Sequence, residues 1–124
     1  MCNQTTAAIH YVIVCGSYDR SRYNDRLCNA LGNELAKYNI GIISGGGRPG
    51  IKVGESMNRT LSDLGQYDPF KIVTVFRKRN KGDELKTKRI GCNLFVGNDI
   101  HDIREYLFSK SRIVIVIGGA VKTK

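Results

Sequence analysis

Ile42-Ile43-Ser44-Gly45-Gly46-Gly47-Arg48-Pro49-Gly50-Ile51-Lys52-Val53-Gly54 is the stretch whose reading decides the fold. An apolar run from Ile40 to Ile43 delivers the backbone to three consecutive glycines, and a helical pattern follows almost at once. Glycine admits positive φ and lets a ligand approach the bare backbone. A strand, a glycine turn and a helix N-terminus together form an anion site, because unpaired N–H groups and the helix dipole point at it. Arg48 and Lys52 add fixed positive charge at the same place. The expectation is a nucleotide phosphate held over Gly45, Gly46 and Gly47; the alternative is a tight βα connection with no ligand. The spacing is neither GxGxxG nor GxxxxGK[ST], so neither standard fingerprint applies.

Working outward, Ile40–Ser44 reads as a strand and Gly50–Leu64 as a helix with Ile51, Val53, Met57, Leu61 and Leu64 on one broad face. Met57 reads as core. Upstream, Ile9–Cys15 is short, β-branched and flanked by turn residues, the pattern of a buried strand, and it ends in Gly16-Ser17. A helix follows from about Asn24 to Tyr38, with Leu27, Leu31, Leu35 and Tyr38 inward and Ser21 or Asn24 as cap. Downstream, Gly65–Pro69 is a turn and Phe70–Phe76 a third strand. Arg77–Arg89 is the longest basic segment, and Asn93–Val96 reads as a further short strand. Asn98 or Asp99 caps a helix over Ile100–Lys110, with Ile100, Ile103 and Leu107 inward, and Arg112–Ile117 is a last strand ending in Gly118-Gly119.

Apolar strands alternating with amphipathic helices are the signature of an α/β fold with a doubly wound, mostly parallel sheet, Rossmann-like in kind. Ligands of such sheets sit outside the carboxyl ends of the strands, at the switch point. Gly16-Ser17, Gly45-Gly46-Gly47 and Gly118-Gly119 all fall after strands, which argues for a ligand crevice more strongly than one glycine turn does. The chain stops five residues after Gly119, where a doubly wound domain normally continues into another helix and strand. The domain is therefore expected to be truncated or pared down. A cut would leave the last strand as an exposed, pairing-prone edge, so a homo-oligomer is expected.

At 124 residues the chain is one domain, and its ordinary hydrophobic and charged fractions exclude disorder. No run approaches the ~18 apolar residues of a membrane span, and the basic-then-apolar start of a signal peptide is missing; the expected location is cytoplasmic. Cys2, Cys15, Cys28 and Cys92 form no CxxC, and Cys15 and Cys92 lie in apolar or strand-like runs, where a thiol behaves as a small hydrophobe. With only His10 and His101 beside them, neither a metal nor another cofactor is expected. The net charge of +9 attracts polyanions, whether nucleic acid or phosphorylated small molecules.

Val12-Ile13-Val14-Cys15-Gly16-Ser17, then Ile43-Ser44-Gly45-Gly46-Gly47 with Gly50 and Gly54, then Ile113–Gly119 resemble the SLOG superfamily of Rossmann-like domains. That superfamily includes LOG-type phosphoribohydrolases, the DNA-processing protein DprA and the signal-sensing domains of bacterial antiphage effectors. LOG-type enzymes follow their last strand with PGGxGT and a glutamate, and carry an arginine-lysine pair in the preceding helix. Here Gly118-Gly119-Ala120-Val121-Lys122-Thr123 lacks the proline and the third glycine, and Arg104 supplies at most half of the pair. Glu55 and Glu105 lie on the relevant helices but read as solvated or surface-paired. The resemblance is therefore closest to the Sir2- or TIR-associating SLOG sensor of Thoeris-type antiphage effectors, a domain that binds a cyclic ADP-ribose-type signal.

That resemblance implies a role for each loop. Backbone N–H groups at Gly45–Gly47 take phosphate, and Gly16-Ser17 approaches a ribose or phosphate. Arg77, Lys78 or Arg79 forms a charge-assisted clamp. Tyr18 or Tyr23 stacks on adenine, and Arg48, Arg104, Gly118 and Gly119 complete the expected ligand-binding set. The partner implied is an ADP-ribose derivative. A LOG-like phosphoribohydrolase, needing a carboxylate that faces the glycine crevice, is the first alternative. DprA-like nucleic-acid binding through Arg77–Arg89 is the second, disfavoured because aromatics are barely interleaved with that run.

Overall fold

The computed structural model describes residues 9–17, 22–78 and 90–118. Its elements run β1 (His10–Ser17), α1 (Arg22–Leu35), β2 (Ile40–Ser44), α2 (Arg48–Asp63), a 3-10 turn (Pro69–Lys71), β3 (Ile72–Phe76), β4 (Cys92–Phe95), α3 (Ile100–Lys110) and β5 (Val114–Gly118). The five strands form one sheet in the order β4-β3-β2-β1-β5, and every pairing is parallel. The doubly wound α/β arrangement read from the sequence is the one observed.

The order of strands explains why helices cover both faces. From β1 to β3 the chain steps one way across the sheet and lays α1 and α2 on one face. From β4 to β5 it crosses in the other direction, so a connection of the same hand lays α3 on the opposite face. Alternate residues of each strand serve the two sides. Val12, Val14, Ile42, Ile72 and Ile117 pack with Cys28 and Leu35 of α1 and Val53, Met57 and Leu61 of α2. Ile13, Ile43, Val73 and Val75 pack with Ile103 and Leu107 of α3. Met57 is fully buried, as expected of core, and burying such a side chain stabilises by about 1.5–3 kcal/mol.

The helices α1 and α2 approach closely because Gly32 faces Ser56: a Cβ at Gly32 would lie 2.5 Å from the Ser56 Cβ. The buried Ser56 hydroxyl donates to the Asn29 carbonyl at 2.7 Å, and Thr60 donates to Asn33 Oδ1 at 2.6 Å. Polar groups in this seam are thus satisfied rather than stranded.

Several inward assignments are corrected. Leu27 and Tyr38 are exposed, and Cys28 takes the buried place instead. The helix α1 ends at Leu35 and the chain turns through residues 36–39, so Tyr38 no longer follows the helical period. Leu64 and Ile100 are exposed because they stand at or beyond helix ends, and Ile51 because it borders an open cleft beside α2. Cys15 is exposed too: it registers with Val116 of β5, also exposed, and the cluster under α3 contains no residue of β5. Strand β3 starts at Ile72 rather than Phe70, because Asp68 accepts from the Phe70 amide and winds Pro69–Lys71 into a turn. Strand β5 stands at the sheet edge with Ile113, Val114 and Val116 exposed. Among the described residues no helix is long and apolar enough to cross a membrane.

Candidate functional site

The glycine turn sits where the sequence puts it, between the end of β2 and the start of α2. Gly46 has φ +91°, a conformation that side chains with a Cβ rarely adopt, and a Cβ there would come within 3.2 Å of the Phe76 ring. Gly47 is the N-cap of α2 with extended backbone, and, being glycine, it makes no side-chain capping hydrogen bond. Pro49 falls in the first turn, where a missing N–H costs nothing, and the ladder opens with the Ile51 amide donating to the Gly47 carbonyl at 3.1 Å. The first turn carries no acidic residue. This 16-residue helix therefore presents the positive end of its dipole, with no acceptor on the side chain of its N-cap residue, at the carboxyl edge of the sheet.

The turn lies between the switch point and a cleft. On one side is the switch point. Gly16 has φ +129° and a Cβ there would run into the Ile117 carbonyl, so β1 and β5 close up only with glycine at this position. Ser17 registers with Gly118, and a Cβ at Gly47 would lie 3.7 Å from the Gly16 carbonyl oxygen. Gly16, Ser17, Gly47 and Gly118 thus converge at the place where doubly wound sheets take ligands.

On the other side a cleft of about 410 Å³ opens between α2 and strands β3 and β4. Its α2 wall is Gly50, Ile51, Gly54 and Glu55, and its floor is Ile72, Thr74 and Phe76. Asn93 and Ile90 close it from the β4 side. The Phe76 ring is stacked on Phe95, with centroids 5.5 Å apart and planes 24° from parallel. Hydrogen bonds from the Val96 amide to the Phe76 carbonyl (2.8 Å) and from the Lys78 amide to the Gly97 carbonyl (3.0 Å) hold the ends of β3 and β4 together.

The charged candidates are dispersed around this edge. Arg48 is exposed at the first position of α2. Arg77 is half-buried and Lys78 exposed, directly after β3. Arg104 is exposed on α3, next to Ile103, whose side chain lies 3.5 Å from where a Gly45 Cβ would be. Tyr18, Arg79 and Gly119, and the side chains of Ser17 and Tyr23, lie outside the described residues. So does most of the Arg77–Arg89 run. Among the described residues, no group of three or more His, Cys, Asp or Glu is placed to hold a metal ion.

Thr74, Phe76 and Asn93 were not singled out by sequence reading. Glu55 was read as solvated or surface-paired; it does stand 4.0 Å from Lys52, at the limit of an ion pair, but it also lines the cleft. A signal was present: glycines at positions 50 and 54 leave one stripe of α2 bare, and Glu55 is the next residue. Asn93 was visible only as a polar residue between Cys92 and Leu94 in a strand. Ionisable groups elsewhere serve the fold. The Asn98 and Asp99 amides hold the Asp102 carboxyl below its ordinary value, and burial pushes the Tyr11 phenol up, with Asp68 adding to the effect.

The fold is Rossmann-like, and its glycine-lined edge lies at the carboxyl ends of the strands, the side on which open α/β sheets take their ligands. No protein-family model matches the chain, and no curated protein matches it.

Proposed function

We propose that this chain binds a nucleotide-derived signal of the cyclic ADP-ribose type at the carboxyl ends of its strands and acts as a ligand-sensing domain, in the manner of the antiphage sensors it resembles. One observation carries the reading: the N-terminus of α2, whose N-cap glycine offers no side-chain acceptor, stands between the switch point and the α2–β3–β4 cleft. An ADP-ribose-type molecule has the matching shape, a pyrophosphate with a nucleoside-like half on either side. The pyrophosphate would sit over Gly45–Gly47, with Arg48, Arg77, Lys78 and Arg104 on the elements around it.

Sensing then works by linkage: a ligand that prefers one arrangement of an assembly shifts the population toward it. The exposed apolar edge at β5, with Ile113 and Val116 outward, supports self-association as the arrangement that is switched. A phosphoribohydrolase is the second reading, favoured by the Glu55 carboxylate in the cleft.

Thermal-shift and calorimetric titration with cyclic ADP-ribose isomers, ADP-ribose, NAD and AMP tests these readings. Binding confined to an ADP-ribose-type ligand, with a change of sedimentation on ligand addition, is the expected result. Silence toward all of them, with free adenine released from AMP, would replace the sensor by the hydrolase.

A further inference from the structure

We infer that the cleft between α2 and strands β3 and β4 is a nucleobase pocket that selects a base carrying an exocyclic amine, with Glu55 and Asn93 reading its edge. The inference rests on the reading that phosphate lies over the glycine turn, and it assigns the base to a different place from the tyrosines after β1. The volume, about 410 Å³, falls within the roughly 300–1,000 Å³ of small-molecule sites. The composition is also that of such a site: apolar walls with a few convergent polar groups. Ile72 and Ile90 supply apolar surface, and Gly50 and Gly54, which let α2 pack directly on Ser44 and Ile72, border the cleft without side chains of their own. Phe76 is held by its stack on Phe95, so an aromatic face or edge is presented without further ordering.

The polar groups choose the base. An ionised carboxylate only accepts hydrogen bonds, so Glu55 favours a donor such as an exocyclic NH₂ and repels a keto oxygen. The Asn93 amide offers one acceptor and two donors, and an amide of this kind pairs bidentately with the N6 and N7 positions of adenine. Asn93 registers with Thr74 across β3 and β4, which sets both on the α2 side of the sheet, facing the helix that carries Glu55. Glu55 lies eight residues beyond Gly47, and at 1.5 Å per residue it stands about 12 Å down the helix from the phosphate position. A nucleoside attached to that phosphate would run along the cleft and bring its base edge to Glu55.

Calorimetry on the whole chain with adenosine, inosine and ribose 5-phosphate tests the cleft separately from the turn. Adenosine is expected to bind at least tenfold more tightly than inosine. Glu55→Gln is expected to remove that preference, because the amide can donate to a keto group as well as accept from an amine. Asn93→Trp, which fills the cleft, is expected to abolish adenosine binding, with thermal melting confirming that the variant folds. Equal affinity for adenosine and inosine, or adenosine binding that survives Asn93→Trp, would overturn the inference. If wild-type protein binds ribose 5-phosphate yet shows no base preference, the cleft falls and the phosphate reading stands. If it prefers adenosine but ignores ribose 5-phosphate, the cleft stands and the phosphate reading falls.

Discussion

The helices α2 and α3 both begin at the carboxyl edge of the sheet, and their first turns are built in opposite ways. At α3 the Asp99 side chain accepts from the His101 and Asp102 amides at 2.9 and 3.1 Å, while the Asp102 carboxylate accepts from the Asn98 and Asp99 amides. This capping box satisfies the orphan donors and places negative charge at the positive end of the dipole. At α2 the corresponding place is Gly47, no side chain caps the turn, and the adjoining charge is the cation Arg48. One helix carries its own anion. The other has a glycine at that place, and it is the one flanked by the switch point and the cleft.

The sharpest way to break the contrast is to give α2 the cap that α3 has. Gly47→Asp should leave stability within a few tenths of a kcal/mol, since aspartate and glycine are both tolerated at an N-cap. It should also set a carboxylate against any bound phosphate. Like charges 4 Å apart near a surface repel by about 4 kcal/mol before salt screening, so affinity for a phosphorylated ligand should fall at least about a hundredfold. Undiminished calorimetric affinity would place the ligand elsewhere.

The converse change, Asp99→Ala, strips the cap from α3. It should cost about 1 kcal/mol in denaturant unfolding and leave ligand affinity unchanged. A loss of binding instead would mean that the first turn of α3 belongs to the site. Arg48→Ala sharpens the contrast on the α2 side. Because Arg48 is exposed, the expected loss is about threefold in affinity, shrinking further as salt is raised.

The smallest effect is one of pH. The Asn98 and Asp99 amides hold the Asp102 carboxyl below its ordinary value near about 4. The folded state thus binds that proton less readily than the unfolded chain. Its contribution is fully present above the unfolded value and is lost as pH falls through the lowered folded value. Protection of the amides in the first turn of α3, measured relative to their intrinsic exchange rates, should therefore fall below about pH 4, and Asp102→Asn should flatten that dependence. The uncapped turn of α2 should show no matching step.

The strands and helices were legible because their signals are local. Ile40–Ser44 and Ile100–Lys110 occur with the bounds read from the sequence, and Asp99 is one of the two caps anticipated. The glycine loops were legible for the same reason: Gly16, Gly46 and Gly118 all take positive φ. The errors fall where periodicity stops being informative. Leu27 and Tyr38 fit a helical stripe by spacing, but which stripe is buried depends on how α1 meets α2 and on where the helix ends. Cys15 sits in an apolar run and is nonetheless exposed, because the cover provided by α3 does not extend to β5.

The sequence by itself determined an α/β chain with glycine turns after its strands, since apolar period and glycine placement are properties of neighbouring residues. Only the tertiary structure decided that Gly16 closes against Ile117, that α2 alone among the two described capping sites at this edge is left without a side-chain acceptor, and that Glu55 and Asn93 share a cleft. Those facts follow from strand order and register. Strand order and register are set by packing between segments far apart in the chain, and no local window of sequence encodes them.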